Sequence, residues 1–170
     1  MTKTKQNEHK TKPLSFQDMI LETSKFWANY GCSLLQSYDI EMGAGTLSPH
    51  TALKLVASQK NGTPLNSCYL QYSRRPTDAR YATNPNRLSS YYQTQVILSP
   101  APNNVQQLII ESLEKIGISS SENEIRFVED NWENESIGAF GLGWECWLNG
   151  MEIIQVTFMK EIGGVELFPH

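Results

Sequence analysis

Two runs of alternating character enclose an arginine-rich loop, and this constrains the chain more than anything else in it. From Cys68 to Leu98 the sequence reads CYLQYSRRPTDARYATNPNRLSSYYQTQVIL. Alternation with period two predicts a pleated strand with two unlike faces on each side of the loop. In the second run Tyr92, Thr94, Val96 and Leu98 fall on one face, and Tyr91, Gln93 and Gln95 on the other. The first set reads as core. The second offers a ring and two amides to something polar. Between the runs lie Arg74, Arg75, Arg80 and Arg87, with Pro76, Pro85 and the Asn84 to Asn86 turn keeping the segment irregular. Guanidinium groups stay charged and present a fork of donors, so a loop built this way suits phosphate or carboxylate oxygens. A solvated basic hairpin tip is the plain alternative; four arginines and an aromatic on one strand face point to a phosphate site.

The flanking elements are legible from their periods. Ser15 with Asp18 three residues on predicts a helix start, and Phe16, Met19, Ile20, Thr23, Phe26, Trp27 and Tyr30 predict a core-facing stripe that stops at Gly31. Ser33 to Tyr38 reads as extended, Glu41 to Thr46 (EMGAGT) as a glycine loop, and Pro49 to Ala57 as a helix followed by the loop QKNGTPLNS. After Pro100 and Pro102, Asn103 is placed to cap a helix whose stripe is Val105, Leu108, Ile109, Leu113 and Ile116, ending at Gly117. IRFVED predicts a strand with Ile125 and Phe127 on one face, and Asp130, Glu133 and Glu135 form an acidic patch read as a solvated loop. Ser136 to Gly143 reads as a glycine turn before a strand at Trp144 to Leu148. Asn149-Gly150 then predicts a type I′ hairpin into Met151 to Met159, with Glu152, Ile154, Val156 and Phe158 on one face and Ile153, Gln155, Thr157 and Met159 on the other.

Composition narrows the functional classes. A chain of 170 residues with 39% hydrophobic residues supports one domain with a real core. Its formal net charge of −4 argues against broad grip on a phosphate backbone, so any RNA contact is expected to be local or to belong to a partner. Cys32, Cys68 and Cys146 are too few and too widely spaced for a disulfide framework or a zinc site. No run of about 18 apolar residues suggests a membrane span. Residues 1–13 (MTKTKQNEHKTKP) read as a disordered polar tail without the apolar core of a secretory signal. Residues 14–170 read as the domain.

The wording SRRPTD, RY, NPNRL and YYQ, together with QSYDIEMGAGT, IRFVEDNWE, GLGWECWLNGMEI and the final GG, resembles the α (catalytic) chain of the bacterial two-subunit type of glycyl-tRNA synthetase. Within it, Cys68 to Leu98 resembles motif 2 of class II aminoacyl-tRNA synthetases. The resemblance implies an α+β domain, an antiparallel sheet of class II type flanked by helices, working in the cytoplasm. It implies an enzyme that makes glycyl adenylate from glycine and ATP with Mg2+ and passes the glycyl group to tRNA. It also implies a homodimer within an α/β tetramer whose β chain holds the tRNA, with no membrane partner.

Carried over by position, Arg74 or Arg75 meets the α-phosphate and only one of the two can point at it; Arg80 and Arg87 belong to the ATP site, and Tyr91 stacks on adenine. Gln93, Trp144, Glu152 and Gln155 are expected to close the glycine pocket, and Glu145 is a candidate for the metal or the amino group. The chain departs from the family pattern at Tyr72, Ala79, Ala82, Thr83 and Ile154. The family continues past Pro169 into a Gly-Leu-Glu-Arg motif, so the 170-residue chain is expected to be an incomplete core with impaired activity. Two other classes stay open here: an ATP- or amino-acid-binding module without turnover, and a degenerate interaction fragment.

Overall fold

In a computed structural model, residues 13–79 and 87–167 are described. They fold as an α+β domain with three helices and two hydrogen-bonded sheets. The first helix, α1 (Phe16–Tyr30), starts where the capping signal places it: the Ser15 hydroxyl accepts from the Asp18 backbone N–H at 3.1 Å. It ends on Gly31, whose φ of 111° suits a residue without a Cβ. Of its predicted stripe only Trp27 is fully buried. Phe16 is 56% exposed, and its ring stands 5.6 Å from that of Tyr92, itself 52% exposed.

The first sheet has the order β1 (Ser33–Leu34), β2 (Leu65–Arg74), β3 (Ser90–Ser99). The predicted antiparallel pair is β2 and β3, in register from Leu65 opposite Ser99 to Arg74 opposite Ser90. The short β1 joins β2 in parallel, so the sheet is not purely antiparallel. The helix expected over Pro49 to Ala57 is α2 (Ala52–Asn61); it begins later because residues 49–51 form a turn, with the Thr51 and Ala52 N–H groups both donating to the Ser48 carbonyl. It runs on through part of the expected loop until Gly62 turns left-handed, with φ 62°.

The third helix, α3 (Val105–Lys115), is flanked by Asn104 rather than Asn103, and no side chain caps it. Its successive residues serve different neighbours. Leu108 packs with Trp27, Cys32 and Cys68 under the first sheet, while Ile109 and Leu113 pack on Cys146 of the second. A 3.6-residue period permits this, since adjacent helix positions point about 100° apart.

The second sheet has the order β4 (Ile125–Glu129), β6 (Ala139–Leu148), β7 (Met151–Ile162), β8 (Val165–Glu166), with β5 (Trp132–Asn134) also pairing β6. The Asn149-Gly150 turn forms as expected, both residues at positive φ, 49° and 86°. Of the glycines read as a turn before Trp144, Gly138 does turn, with φ 54°, but Gly141 and Gly143 lie inside β6. A Cβ on Gly143 would stand 1.8 Å from the Val156 carbonyl oxygen and one on Gly141 would stand 2.5 Å from that of Phe158. They serve close strand approach, a use of glycine that a sequence pattern does not separate from turn formation. A further apolar cluster joins the sheets: Tyr69 and Ile97 from the first, Ala139, Met159 and Ile162 from the second, and Ala52 and Leu55 of α2.

Candidate functional site

Directly opposed residues in an antiparallel pair share a face. One face of β2–β3 therefore carries Cys68, Leu70 and Tyr72 with Tyr92, Thr94, Val96 and Leu98. The set expected to be core is core only toward its Cys68 end, which packs beneath α1 and α3, whereas Tyr92 and Thr94 lie beyond those helices' cluster and are exposed. The other carries Ser67, Tyr69, Gln71 and Ser73 with Tyr91, Gln93, Gln95 and Ile97.

The neighbouring arginines divide between these faces. Arg74 leans on the Tyr72 ring, 5.0 Å from its centroid, and its Nη2 donates to Asp39 at 3.0 Å. Arg75 sits over Tyr91, 5.2 Å from the ring centroid, and its Nε donates to the Gly43 carbonyl at 2.7 Å. Arg75 is thus the member of the pair on the Tyr91 and Gln93 face. Arg87 also belongs to the described residues and lies 3.6 Å from Asp78, more than half exposed. Arg80 and Ala82 lie outside them. Ala79 has φ −82°, so the methyl group there introduces no backbone strain.

The glycine loop closes over the end of this face as a strap. The Ile40 carbonyl accepts from Arg74 Nη1, the Met42 carbonyl from the Arg74 backbone N–H, and the Gly43 carbonyl from Arg75 Nε. Gly45 is held on both sides of its α-carbon. Its N–H donates to Gln93 Oε1 at 2.9 Å and its carbonyl accepts from the Tyr69 hydroxyl at 2.8 Å. A Cβ at Gly45 would lie 2.6 Å from Gln95 Oε1, so that position has room only for hydrogen. Tyr69 in turn lies 2.6 Å from the Thr51 hydroxyl, which donates to it because the single Tyr69 proton is directed at Gly45.

The second sheet supplies a carboxylate group through a bulge. Cys146 pairs with Ile154, but Trp147 pairs with Glu152, leaving Ile153 without an opposite number. Strict alternation along β7 would put Glu152 with Ile154. The extra residue brings it to the face of Trp147, Glu145 and Gln155. There Trp147 Nε1 donates to Glu145 Oε2 at 2.8 Å, and Gln155 Nε2 donates to Asp130 Oδ2 at 3.2 Å.

Trp144 is on the opposite face. It stands edge-on to Phe158, 5.5 Å between centroids, in a groove of about 380 Å³ beside the first turn of α3. The structure brings Glu152, Gln155 and Glu145 together and sets Trp144 apart from them.

Charge links the two halves. The Glu152 carboxyl is pushed above its ordinary pKa, first by partial burial and then by the Glu145 and Asp130 charges, while Arg87 and Arg75 pull it down. Arginines of the β2–β3 loop and carboxylates of the second sheet therefore act on one another. Among the described residues no cluster of three or more histidine, cysteine or acidic side chains could hold a metal ion by itself. The cysteines stand apart from this chemistry: all three are free and buried, and burial pushes Cys32 up to about 11 and Cys68 up to about 12.

Gln71, Ser73, Tyr69, Asp130 and Trp147 belong to these surfaces and are not among the candidate site residues expected from sequence; Asp130, expected in a solvated loop, instead accepts from Gln155. Gln71 and Ser73 share the parity of Arg75, and Trp147 that of Glu145, so extending the period-two count would have found them. No helix among the described residues is long and apolar enough to cross a membrane. A family model described as glycyl-tRNA synthetase alpha subunit matches residues 16–170.

Proposed function

We propose, from the premise that the chain belongs to the glycyl-tRNA synthetase alpha subunit family, that it carries the ATP-dependent, glycine-activating half of a glycine-tRNA ligase built on a class II type of fold. In the first step a carboxylate oxygen of glycine attacks the α-phosphorus of ATP and pyrophosphate leaves. The adenylate then passes its glycyl group to a hydroxyl of the tRNA and releases AMP. Neither acid nor base is central to the first step, which depends on alignment and on neutralising the phosphate oxygens.

The observation that carries this reading is the placement of Arg75. Its Nε is held by the Gly43 carbonyl and its guanidinium lies against Tyr91. Its Nη1 and Nη2 ends have no partner among the described residues and can meet an α-phosphate oxygen pair. Arg87 is the terminal-phosphate contact, Tyr91 the adenine platform, and Arg80 a further phosphate contact in the same loop. Gln93, with Oε1 engaged by Gly45, turns its Nε2 donors to the amino-acid carboxylate. Glu152 and Gln155 close the opposite wall.

Magnesium fits here as an ion borne by the triphosphate, since it needs only one or two protein carboxylates and takes its remaining oxygens from phosphate and water. Glu145 and Glu152 are the carboxylates in position, and the ion would draw charge off the phosphate oxygens. The net charge of −4 supports a division of labour in which a β chain holds most of the tRNA. A homodimer of this chain within an α/β tetramer is part of the same reading and rests on the family, not on the charge.

The test is ATP–pyrophosphate exchange by the chain with its β partner in the presence of each amino acid. ATP binding is expected, and such exchange as the chain supports is expected with glycine and with no larger amino acid. Failure to bind ATP, or exchange indifferent to glycine, would overturn the reading.

A further inference from the structure

Three polar groups on the inner face of β2 have no hydrogen-bond partner although they are buried: Ser67 Oγ, Gln71 Oε1 and Ser73 Oγ. Most buried side-chain oxygens in folded proteins are satisfied, so a row of unsatisfied ones on alternate positions of one strand asks for an explanation. Gln71 is the most informative. It is 1% exposed, and its Nε2 donates to the Tyr72 carbonyl at 3.1 Å, which fixes the orientation of the amide. The oxygen that remains is an acceptor and nothing else. Gln71 lies opposite Gln93, and Ser73, 0% exposed, lies opposite Tyr91. Beyond Ser73 on the same face comes Arg75.

Toward the arginine, the face therefore offers an acceptor, a hydroxyl and a cation in that order. Four residues of strand span about 13 Å. We propose that Gln71 Oε1, assisted by Ser73 Oγ, is the site that receives the α-ammonium group of the amino acid, with the carboxylate directed toward Arg75. An ammonium brings three donors, and a carbonyl oxygen with a free lone pair and a flanking hydroxyl are the partners it needs. A primary ammonium and a carboxylate on one carbon, placed in line with a phosphate on Arg75, fit within a span of this size. The strap of residues 40–45 roofs the row, so the ligand enters when the Gly43 and Gly45 fastenings open, and these are a single hydrogen bond to Arg75 and a pair to Gln93 and Tyr69. This assignment rests on the reading of glycine as substrate, to which it adds the residue that recognises the amino group.

The experiment is calorimetric titration of the full chain with glycine at saturating ATP and magnesium, and separately with ATP. Three variants are compared with the wild type: Gln71→Met, which keeps the length and removes the acceptor, Gln71→Glu, which keeps an acceptor, and Ser73→Ala. Gln71→Met is expected to weaken glycine about ten-fold or more while ATP affinity stays within about two-fold, and Gln71→Glu to retain glycine binding. N,N,N-trimethylglycine, which has no N–H to donate, serves as a second ligand. It is expected to bind wild type at least ten-fold more weakly than glycine and to be indifferent to Gln71→Met. If wild type binds neither glycine nor ATP, the activation reading itself falls, and this assignment with it. If wild type binds both and Gln71→Met binds glycine unchanged, or loses glycine and ATP in equal measure, only the assignment falls. Should Gln71→Met not fold, the two ligands on wild type and on Ser73→Ala decide: equal affinity for glycine and its trimethyl form overturns the proposal.

Discussion

Arg75 and Tyr91 meet across the end of β2–β3, the guanidinium carbon 5.2 Å from the ring centroid, while the adjacent Arg74 leaves by the other face to reach Asp39. The two arginines are adjacent in sequence and opposite in role. Replacing Arg75 with alanine should weaken ATP binding by about 2 to 5 kcal/mol, the cost of truncating one desolvated charge-assisted contact. Arg74→Ala removes an exposed pair and should change ATP affinity by no more than about 1 kcal/mol. Titration of both variants with ATP and magnesium checks this, and equal effects would contradict the division of faces.

Alkaline stability should follow the thiols. Cys32 and Cys68 titrate at about 11 and about 12 in the folded chain against an ordinary value of 9.0, because burial penalises the thiolate. The folded pKa values are raised, so the folded chain retains protons that the unfolded chain gives up. That contribution is complete below pH 9.0 and is lost as pH rises through 11 and 12. Urea midpoints measured up to pH 10 should fall, and by less in a Cys32→Ala, Cys68→Ala double variant. At pH 8 a thiol reagent should label none of the three cysteines in the native chain and all three in urea.

Glu152 gives a charge-coupling test. Its carboxyl is raised first by burial and next by Glu145, and is lowered by Arg87 and then Arg75. Glu145→Gln should bring its titration midpoint down toward the ordinary 4.5, and Arg87→Ala should move it further up. Carbon-detected NMR of the glutamate side chains follows both. An unmoved midpoint in both variants would separate the second sheet from the arginine loop.

Gly143→Ala should be among the most damaging single-methyl changes available in this chain. The added carbon would stand 1.8 Å from the Val156 carbonyl oxygen, and backbone cannot yield as a flexible side chain can. A loss of about 3 kcal/mol or more is expected from the forced separation of β6 and β7. Denaturant unfolding reads it. A change under 1 kcal/mol would mean that the strands separate with little penalty.

The parts of the fold that were readable are those where one period rules. The β2–β3 pair, the caps of α1 and the Asn149-Gly150 turn each follow from local pattern. The arginine face was readable only in part: parity says that Arg74 and Arg75 diverge, but their direction depends on Tyr72, Tyr91 and the strap. Glu152 shows how a pattern misleads. Alternation places it beside Ile154, and one unpaired residue, Ile153, reverses that. Nothing in the letters around it marks a bulge. Trp144 was assigned to the pocket by resemblance, whereas β6 presents Glu145 and Trp147 to the polar face and Trp144 to Phe158. Gly141 and Gly143 read equally well as turn and as strand, because the carbonyls that exclude a Cβ lie on β7.

The strap has a consequence for how substitutions will distribute along the chain. Its attachments at positions 40, 42, 43 and 45 are all made by its own main-chain carbonyl or N–H groups; the Arg74 backbone N–H holds position 42, and the side chains of Tyr69, Arg74, Arg75 and Gln93 hold the other three. A saturation mutagenesis scan read out by function should therefore find Ile40 and Glu41 permissive, Gly45 intolerant, and the strictest demands displaced onto strand residues some 25 to 50 positions downstream. The information that shapes the loop is stored in the sheet beneath it.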